Sequence, residues 1–535
     1  MTLSPRFNLW TDPWIRVIRG DGGDDEVSIG DCLVRAHELA VLSDPSPLVV
    51  GGTQRLLAAI LQAIYQPGDV GDIAALLGAG RFDEARLRQF ERDYAARFDL
   101  FHPEAPFLQT GDVPLDGYRK PEKGRQRAWG DPQPVARLFA EVPVATERTH
   151  FNHVTDEGHR LCPACCARGL VTVPAFVSSG GSGMHPSING MPPIYVLPAG
   201  DNLFETLALS LISRDLQPRT ADPGRGDQAI WTSDPPVVNK DHAVEAVGYL
   251  ESLTFPARRM RLYPHTGSTL CTHCGRPAAV FVTHMLFEMG HWLNKEAGIW
   301  DDPFVAFRNP QGRARSSDAG PRPVRPEAGK ALWREYANLL LEEDEAGIRP
   351  RVVRQVSLLI ERRTLAERQE LRFRCIGVRT DGKAKIFEWL DEALEAPPAV
   401  LTDPDAAGYV QAALEQAHEG ASVLRKVFDR HFRPERGGAR QDFVRFNSVR
   451  ERMLADYWQR MGMHFRRFIN DLRDPRQRDN AERGWARAVI EVVRPCFNAA
   501  LDQVGARADA LRARVEAESD CERWLYAKRK EWLYE

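Results

Sequence analysis

The chain has 535 residues, 43% of them hydrophobic and 27% charged, with a formal net charge of −3. That length calls for more than one domain, and the composition is that of a soluble globular protein. A nearly neutral chain is not a globally basic nucleic-acid protein, so contact with DNA or RNA has to come from local patches. The opening Met1-Thr-Leu-Ser-Pro-Arg-Phe-Asn8 lacks the apolar core of a signal peptide. No uninterrupted apolar run approaches membrane-spanning length, so a cytoplasmic protein with no membrane partner is expected.

Leu9, Trp10, Trp14, Ile15 and Val17 make a strand-like opening broken by Asp12-Pro13, followed by a turn and then Val27-Ser28-Ile29. Residues 54–66 and 84–97 have helical composition and period. Phe101-His-Pro-Glu-Ala-Pro-Phe-Leu-Gln-Thr110 is proline-punctuated and irregular. The stretch 118–127 sets Arg119, Lys120, Lys123, Arg125 and Arg127 against Glu122 and reads as a mobile basic loop. His150, Phe151, Asn152 and His153 form a polar and aromatic cluster whose plain reading is a solvated loop.

Two C-x-x-C knuckles follow, Cys162-Pro-Ala-Cys165 and Cys271-Thr-His-Cys274, with 105 residues between their inner members. Each two-residue spacer lets both sulfurs of a pair approach one ion, and four thiolates close a tetrahedral zinc site. With every ligand from protein there is no open position for substrate, so Cys162, Cys165, Cys271 and Cys274 are expected to hold a structural zinc. Gly275 can take the positive φ that ends such a turn. The alternative is two unrelated thiol pairs, one redox active, but neither lies in the βαβ setting that chemistry needs. Cys32, Cys166, Cys375, Cys496 and Cys521 have no pairing pattern, which suits a reducing compartment.

Between the knuckles, Ser178-Ser179-Gly180-Gly181-Ser182-Gly183 could bring bare backbone against a ligand. Pro186, Pro192 and Pro193 argue against the following helix that phosphate cradling needs. Ile194-Tyr-Val-Leu197 then reads as a strand. Residues 308–330 form a second basic, Pro/Gly/Ser-rich loop. Gly377-Val-Arg-Thr-Asp-Gly382-Lys383-Ala384 resembles a P-loop, but Ala384 lacks the hydroxyl that binds Mg²⁺. Asp381-Gly382 is a strong hairpin-turn dipeptide, so a hairpin carrying Lys383 and Lys385 is favoured.

The character changes near Pro397-Pro398. Helical patterns over 403–429, 444–472, 477–503 and 507–533 follow, with Asp403 as N-cap before Pro404. Met453, Tyr457, Met461, Phe465 and Phe468 keep helical spacing in the second. The expected fold is α+β: a mixed N-terminal domain over 1–395 carrying the zinc site, then an all-α four-helix bundle over 396–535.

Taken together, Asn8-Leu-Trp-Thr-Asp-Pro-Trp-Ile15, Val27-Ser-Ile-Gly-Asp-Cys-Leu33, the Phe101 to Thr110 stretch, the knuckles, the glycine loop and the C-terminal helices resemble CasA, the large subunit of the type I-E CRISPR surveillance complex Cascade. The resemblance implies a non-catalytic subunit that works with the other Cascade subunits and a guide CRISPR RNA. It implies recognition of the protospacer-adjacent motif in duplex DNA, help in starting R-loop formation, and recruitment of a helicase-nuclease for antiviral defence. By the same resemblance Ser179, Gly180, Gly181, Ser182 and Gly183 would lie along the minor groove, with Lys295 (or His291) entering it. Arg379, Asp381, Gly382, Lys383, Ala384 and Lys385 would form a wedge hairpin at the first base pair. His150, Phe151 and Asn152 would meet the RNA handle, with Phe151 stacking on a base. The rival readings are a zinc-stapled scaffold that reads no DNA and a nucleotide hydrolase using 377–384.

Overall fold

The computed structural model describes residues 5–118, 129–142, 158–178, 183–218, 227–233, 236–309, 320–341, 347–365, 370–381, 386–434, 439–505 and 508–533. The chain divides into two compact units. The first comprises Met1–Pro326, Glu343–Leu365 and Arg372–Ala393; the second gathers Glu327–Glu342, Ala366–Leu371 and Leu394–Glu535.

The first unit is mixed α and β. Ile15–Arg19 is the centre of an antiparallel sheet, pairing Ile15 with Val27 on one side and Val17 with Leu42 on the other. Ser28 then caps the helix Ile29–Val34, its hydroxyl accepting from Asp31 N at 3.1 Å. The helix expected over 54–66 starts earlier, at Pro47, and runs Pro47–Tyr65. It is long and apolar enough to cross a membrane, yet 83% of that apolar window is buried inside the protein. Its polar side chains have partners in the core. Arg55 pairs with Asp302 at 2.8 Å, and the Gln54 amide donates to Pro198 O at 3.0 Å. It is therefore the central helix of the unit, packed on every side. A Cβ on Gly52 would lie 2.5 Å from Val171 O, so this helix meets the chain after the first knuckle at a distance only glycine allows.

The helix expected over 84–97 is Glu84–Tyr94 continued by a tighter turn, Ala95–Phe98. A further helix, Val70–Ala79, was not expected; Asp69 caps it through Gly71 N and Asp72 N. The second basic segment is more ordered at its ends than a mobile loop, because Arg308 pairs with Arg322 and Phe307 with Pro323 in short strands. Residues 310–319 within it and the basic stretch 119–128 lie outside the described residues. The longest hairpin joins Arg258–Leu270 to Pro277–Met289.

The second unit is built from four long helices, Pro404–Phe432, Arg440–Asp471, Arg478–Leu501 and Ala508–Leu533. Asp403 caps the first as expected, accepting from Asp405 N at 2.9 Å, and pairs with Arg478 at 2.7 Å. Met453, Tyr457, Met461, Phe465 and Phe468 are all buried. Tyr457 and Trp485 tie neighbouring helices together, donating to Ala417 O and Ala413 O at 2.8 and 2.9 Å. The segment 327–342 belongs here because Trp333 enters the aromatic core, 4.9 Å from the Phe465 ring and 5.7 Å from Trp458. Sequence pattern alone cannot reveal such a contact across more than a hundred residues.

Candidate metal centre and nucleic-acid interface

Cys162 is the extended N-cap of the helix Pro163–Leu170, and Cys165 stands in its first turn. Cys271 and Cys274 occupy the tip of the long hairpin. There Cys271 N donates to Arg276 O at 2.9 Å and Gly275 N to Cys271 O at 2.8 Å. Gly275 has φ +74°, the turn conformation its position anticipated. Leu161 and Val282 exchange backbone hydrogen bonds at 3.0 and 2.9 Å, which lays the first knuckle against the hairpin.

The four sulfurs thus converge, all within 4.8 Å of one another. That overturns the alternative of two unrelated thiol pairs. The Cys162 and Cys274 sulfurs are 3.8 Å apart. A tetrahedral zinc with ~2.3 Å bonds sets sulfurs ~3.8 Å apart, whereas a disulfide needs about 2.05 Å. The spacing fits a metal-binding thiol set, and the Cys162 amide already points at Cys271 Sγ, 3.3 Å away. Proton sharing within the cluster holds the Cys271 thiol far below its usual range, through donation from Cys162 and Cys165. It pushes Cys165 far up, through its hydrogen bond to Cys162.

Charge around the cluster is organised by an arginine on the knuckle's own helix that motif reading passes over. Arg168, fully buried, directs Nη1 at Cys165 Sγ (3.6 Å), pairs with Glu26 (2.7 Å) and donates from Nε to Trp14 O (2.8 Å). Glu26 also receives Arg276 of the second knuckle at 2.8 Å. One carboxylate therefore links both knuckles to the N-terminal sheet, and a guanidinium offsets thiolate charge. Position i+3 from Cys165 on a short helix was the only sequence signal for Arg168.

The remaining expected site residues are placed as follows. Residues 179–182 of the glycine loop lie outside the described residues, and Gly183 has φ +82° with open space around it. Beyond the loop, the His185 ring stacks on Trp292 at 4.4 Å and 19°. Trp292 lies in the strand His291–Leu293, directly ahead of the single turn Lys295–Ala297. The loop's far shoulder and the lysine segment are therefore neighbours, although the Lys295 side chain is outside the described set. His291 is engaged within the protein, its Nε2 accepting from Asn239 N at 3.3 Å and its ring 5.1 Å from His242.

The segment 377–384 begins at the end of a strand, Leu371–Thr380, and is followed by another, Ile386–Ala396. Arg374 pairs with Asp391 and Arg379 with Glu388, both at 2.7 Å, in opposite order along the two strands, so the pair is an antiparallel hairpin. A P-loop needs a helix at this point, so the nucleotide-hydrolase reading is corrected. Arg379 also covers the Phe387 ring at 4.6 Å, and Asp381, the residue after the first strand, is exposed. Gly382, Lys383, Ala384 and Lys385 are outside the described residues, as are His150, Phe151 and Asn152. On its other edge Leu371–Thr380 pairs with Tyr195–Ala199, setting Ile376 against Tyr195.

A family model, CRISPR-associated protein Cse1, matches residues 8–495. The chain belongs to the Cse1 family. CasA/Cse1 of Thermus thermophilus is 34% identical over 268 residues, 48% of this chain and 49% of that protein, so the match spans about half of the relative. In structure the chain is similar to Cse1 from Acidimicrobium ferrooxidans, with TM-score 0.76 and 24% identity over 99% of both chains. It is similar to Thermus thermophilus CasA (Cse1), with TM-score 0.74 and 26% identity over 97% of this chain and 99% of that one. It shares its fold with a chain of a CRISPR RNA-guided surveillance complex, at TM-score 0.71 and 20% identity over 97% and 100%. The resemblance to CasA holds, and the Cse1 match runs, as that resemblance implies, from the N-terminal string through the knuckles and into the C-terminal helices.

Proposed function

We propose that this Cse1-family chain is the non-catalytic large subunit of a cytoplasmic type I-E CRISPR RNA-guided surveillance complex. In that role it works with the other Cascade subunits and guide RNA, inspects duplex DNA for the protospacer-adjacent motif, starts its opening, and recruits a helicase-nuclease. The observation that carries the proposal is the family match over 8–495. The geometry adds support. The strand after the glycine loop shares a sheet with the hairpin strand, and the loop's far shoulder stacks beside the lysine segment. Three separate stretches proposed to meet DNA thus belong to one unit.

In this reading the glycine loop lies along the minor groove, where only a side-chain-poor backbone approaches base edges. Lys295 supplies charge in the groove. The hairpin tip with Lys383 and Lys385 separates the first pair at a cost of a few kcal/mol. Thr149 to His153 meet the RNA handle, with Phe151 stacking. The four cysteines hold a zinc that stabilises the fold and takes no part in chemistry; when bound it supplies a rigid cross-link between helix and hairpin tip.

The test is assembly with the other subunits and guide RNA, followed by binding to duplexes with randomised motifs over a range of salt. Affinity that depends on the motif supports the proposal. Assembly with no motif preference would favour the zinc-stapled scaffold.

A further inference from the structure

Arg258 opens the strand Arg258–Leu270 and is 1% exposed. Its Nη2 donates to Ser178 O at 2.7 Å, and its Nη1 donates to His185 O at 2.8 Å and to Ala257 O at 2.8 Å. Ser178 and His185 are the two shoulders of the glycine loop. One side chain therefore bridges the place where the chain leaves for the loop and the place where it returns.

Arg258 is a costly choice for a simple clip. Among the described residues no carboxylate pairs with it, and the intervening Ser179-Gly-Gly-Ser-Gly-Met184 contains no acid. Burial pushes its guanidinium down to about 10, so it is still charged at neutral pH. A buried charge without a counter-charge is expensive unless carbonyl dipoles satisfy it. A neutral amide could bridge two carbonyls at less cost. What the guanidinium adds is a rigid planar fork that fixes the separation of its acceptors, and a net positive charge.

The shoulder at His185 is fixed a second time. Its amide meets Met289 Sδ at 3.1 Å, its ring stacks on Trp292, and Trp292 Nε1 donates to Asp241 at 3.1 Å. Between these contacts Gly290 passes so close to the Arg258 backbone that a Cβ would lie 2.4 Å from Pro256 O and 2.8 Å from Arg258 C. The strand carrying Arg258 and the strand leading to Lys295 are thus held as one piece.

We propose that Arg258 is a positioning residue for motif reading: its guanidinium sets the span between Ser178 and His185, the shoulders of a segment that meets DNA, and leaves an unneutralised positive charge at those shoulders. This rests on the minor-groove reading of the glycine loop given above.

The test uses the assembled complex carrying Arg258→Met, which keeps the length and removes the donors, and Arg258→Lys, which keeps the charge but not the fork. Each is measured for affinity to motif-bearing and motif-scrambled duplex, for zinc content and for amide exchange over 178–185. The expected result for Arg258→Met is a fall of about tenfold in the motif-to-scrambled affinity ratio, with faster exchange at the shoulders and unchanged zinc. Arg258→Lys should recover part of the ratio. If Arg258→Met does not fold, Arg258→Lys alone decides: a ratio and an exchange rate equal to the unsubstituted protein overturn the proposal. Equal loss on both duplexes overturns it too, because a merely structural residue would act that way. Gly181→Asp serves as the control. If it lowers the ratio and the Arg258 variants do not, the clamp is wrong and the loop reading stands. If it leaves the ratio intact, the loop reading fails, whatever exchange at the shoulders shows about the clip.

Discussion

Removing the metal cross-link by Cys271→Ser should weaken the first unit by an amount set by the chain it closes. The inner cysteines are separated by 105 residues, and a cross-link closing about 100 residues restricts the unfolded chain by roughly 4–5 kcal/mol. Binding energy in excess of that closure term adds to it, because the site does not exist in the unfolded chain. At about 2–4 °C per kcal/mol for a domain of moderate size, the melting temperature should fall on the order of 10 °C. The perturbation is local, since Cys271 is buried at the hairpin tip and its amide is still satisfied by Arg276 O. Cys166→Ser is the matched control: it adjoins the first knuckle, but its thiol points at Leu161 O and it is not among the four. Elemental analysis and thermal melting, with and without chelator, make the assay. The expected pattern is about one equivalent of zinc in the unsubstituted and Cys166→Ser proteins, and little in Cys271→Ser. Metal-free unsubstituted protein whose melt is indifferent to chelator would refute the reasoning.

Two further outcomes are expected. Lys383→Ala with Lys385→Ala should slow R-loop formation on intact duplex and matter less on a target already mismatched beside the motif, where the unstacking cost is lower; equal slowing on both would leave these lysines as plain phosphate contacts. In the second unit, a Cβ on Gly420 would lie 2.4 Å from Tyr457 Oη and 3.0 Å from Val489 Cγ1, so Gly420→Ala should destabilise by about 1–3 kcal/mol, read by chemical denaturation, despite alanine's higher helix propensity.

What could be read from the residues was whatever has a short-range signature. The cysteine pairs declare their chemistry by spacing, and the hairpin tip placed them together as that spacing required. Asp403-Pro404 announced a helix start, and the 3.6-residue period from Met453 to Phe468 marked a buried face, because both depend only on neighbours along one helix. The start of Pro47–Tyr65 was missed because a helix buried on all sides has no polar face to give it a period. Arg55, Arg168 and Arg258 were unreadable for a different reason. A buried arginine is identified by its partners, and Asp302, Glu26 and the Ser178 carbonyl lie far away in sequence. The P-loop likeness at 377–384 shows the converse: a local pattern matched while its context, a strand followed by a strand, did not.

Motif reading is tested most directly by comparing the assembled complex with and without Gly181→Asp on duplexes that differ only at the motif. The substitution adds bulk and negative charge where backbone is proposed to enter a phosphate-lined groove. The expected result is strong motif preference in the unsubstituted complex and its loss in the variant, with subunit and guide RNA content unchanged. Motif preference that survives aspartate at Gly180, Gly181 and Gly183 together would contradict it and leave the glycine segment as a linker.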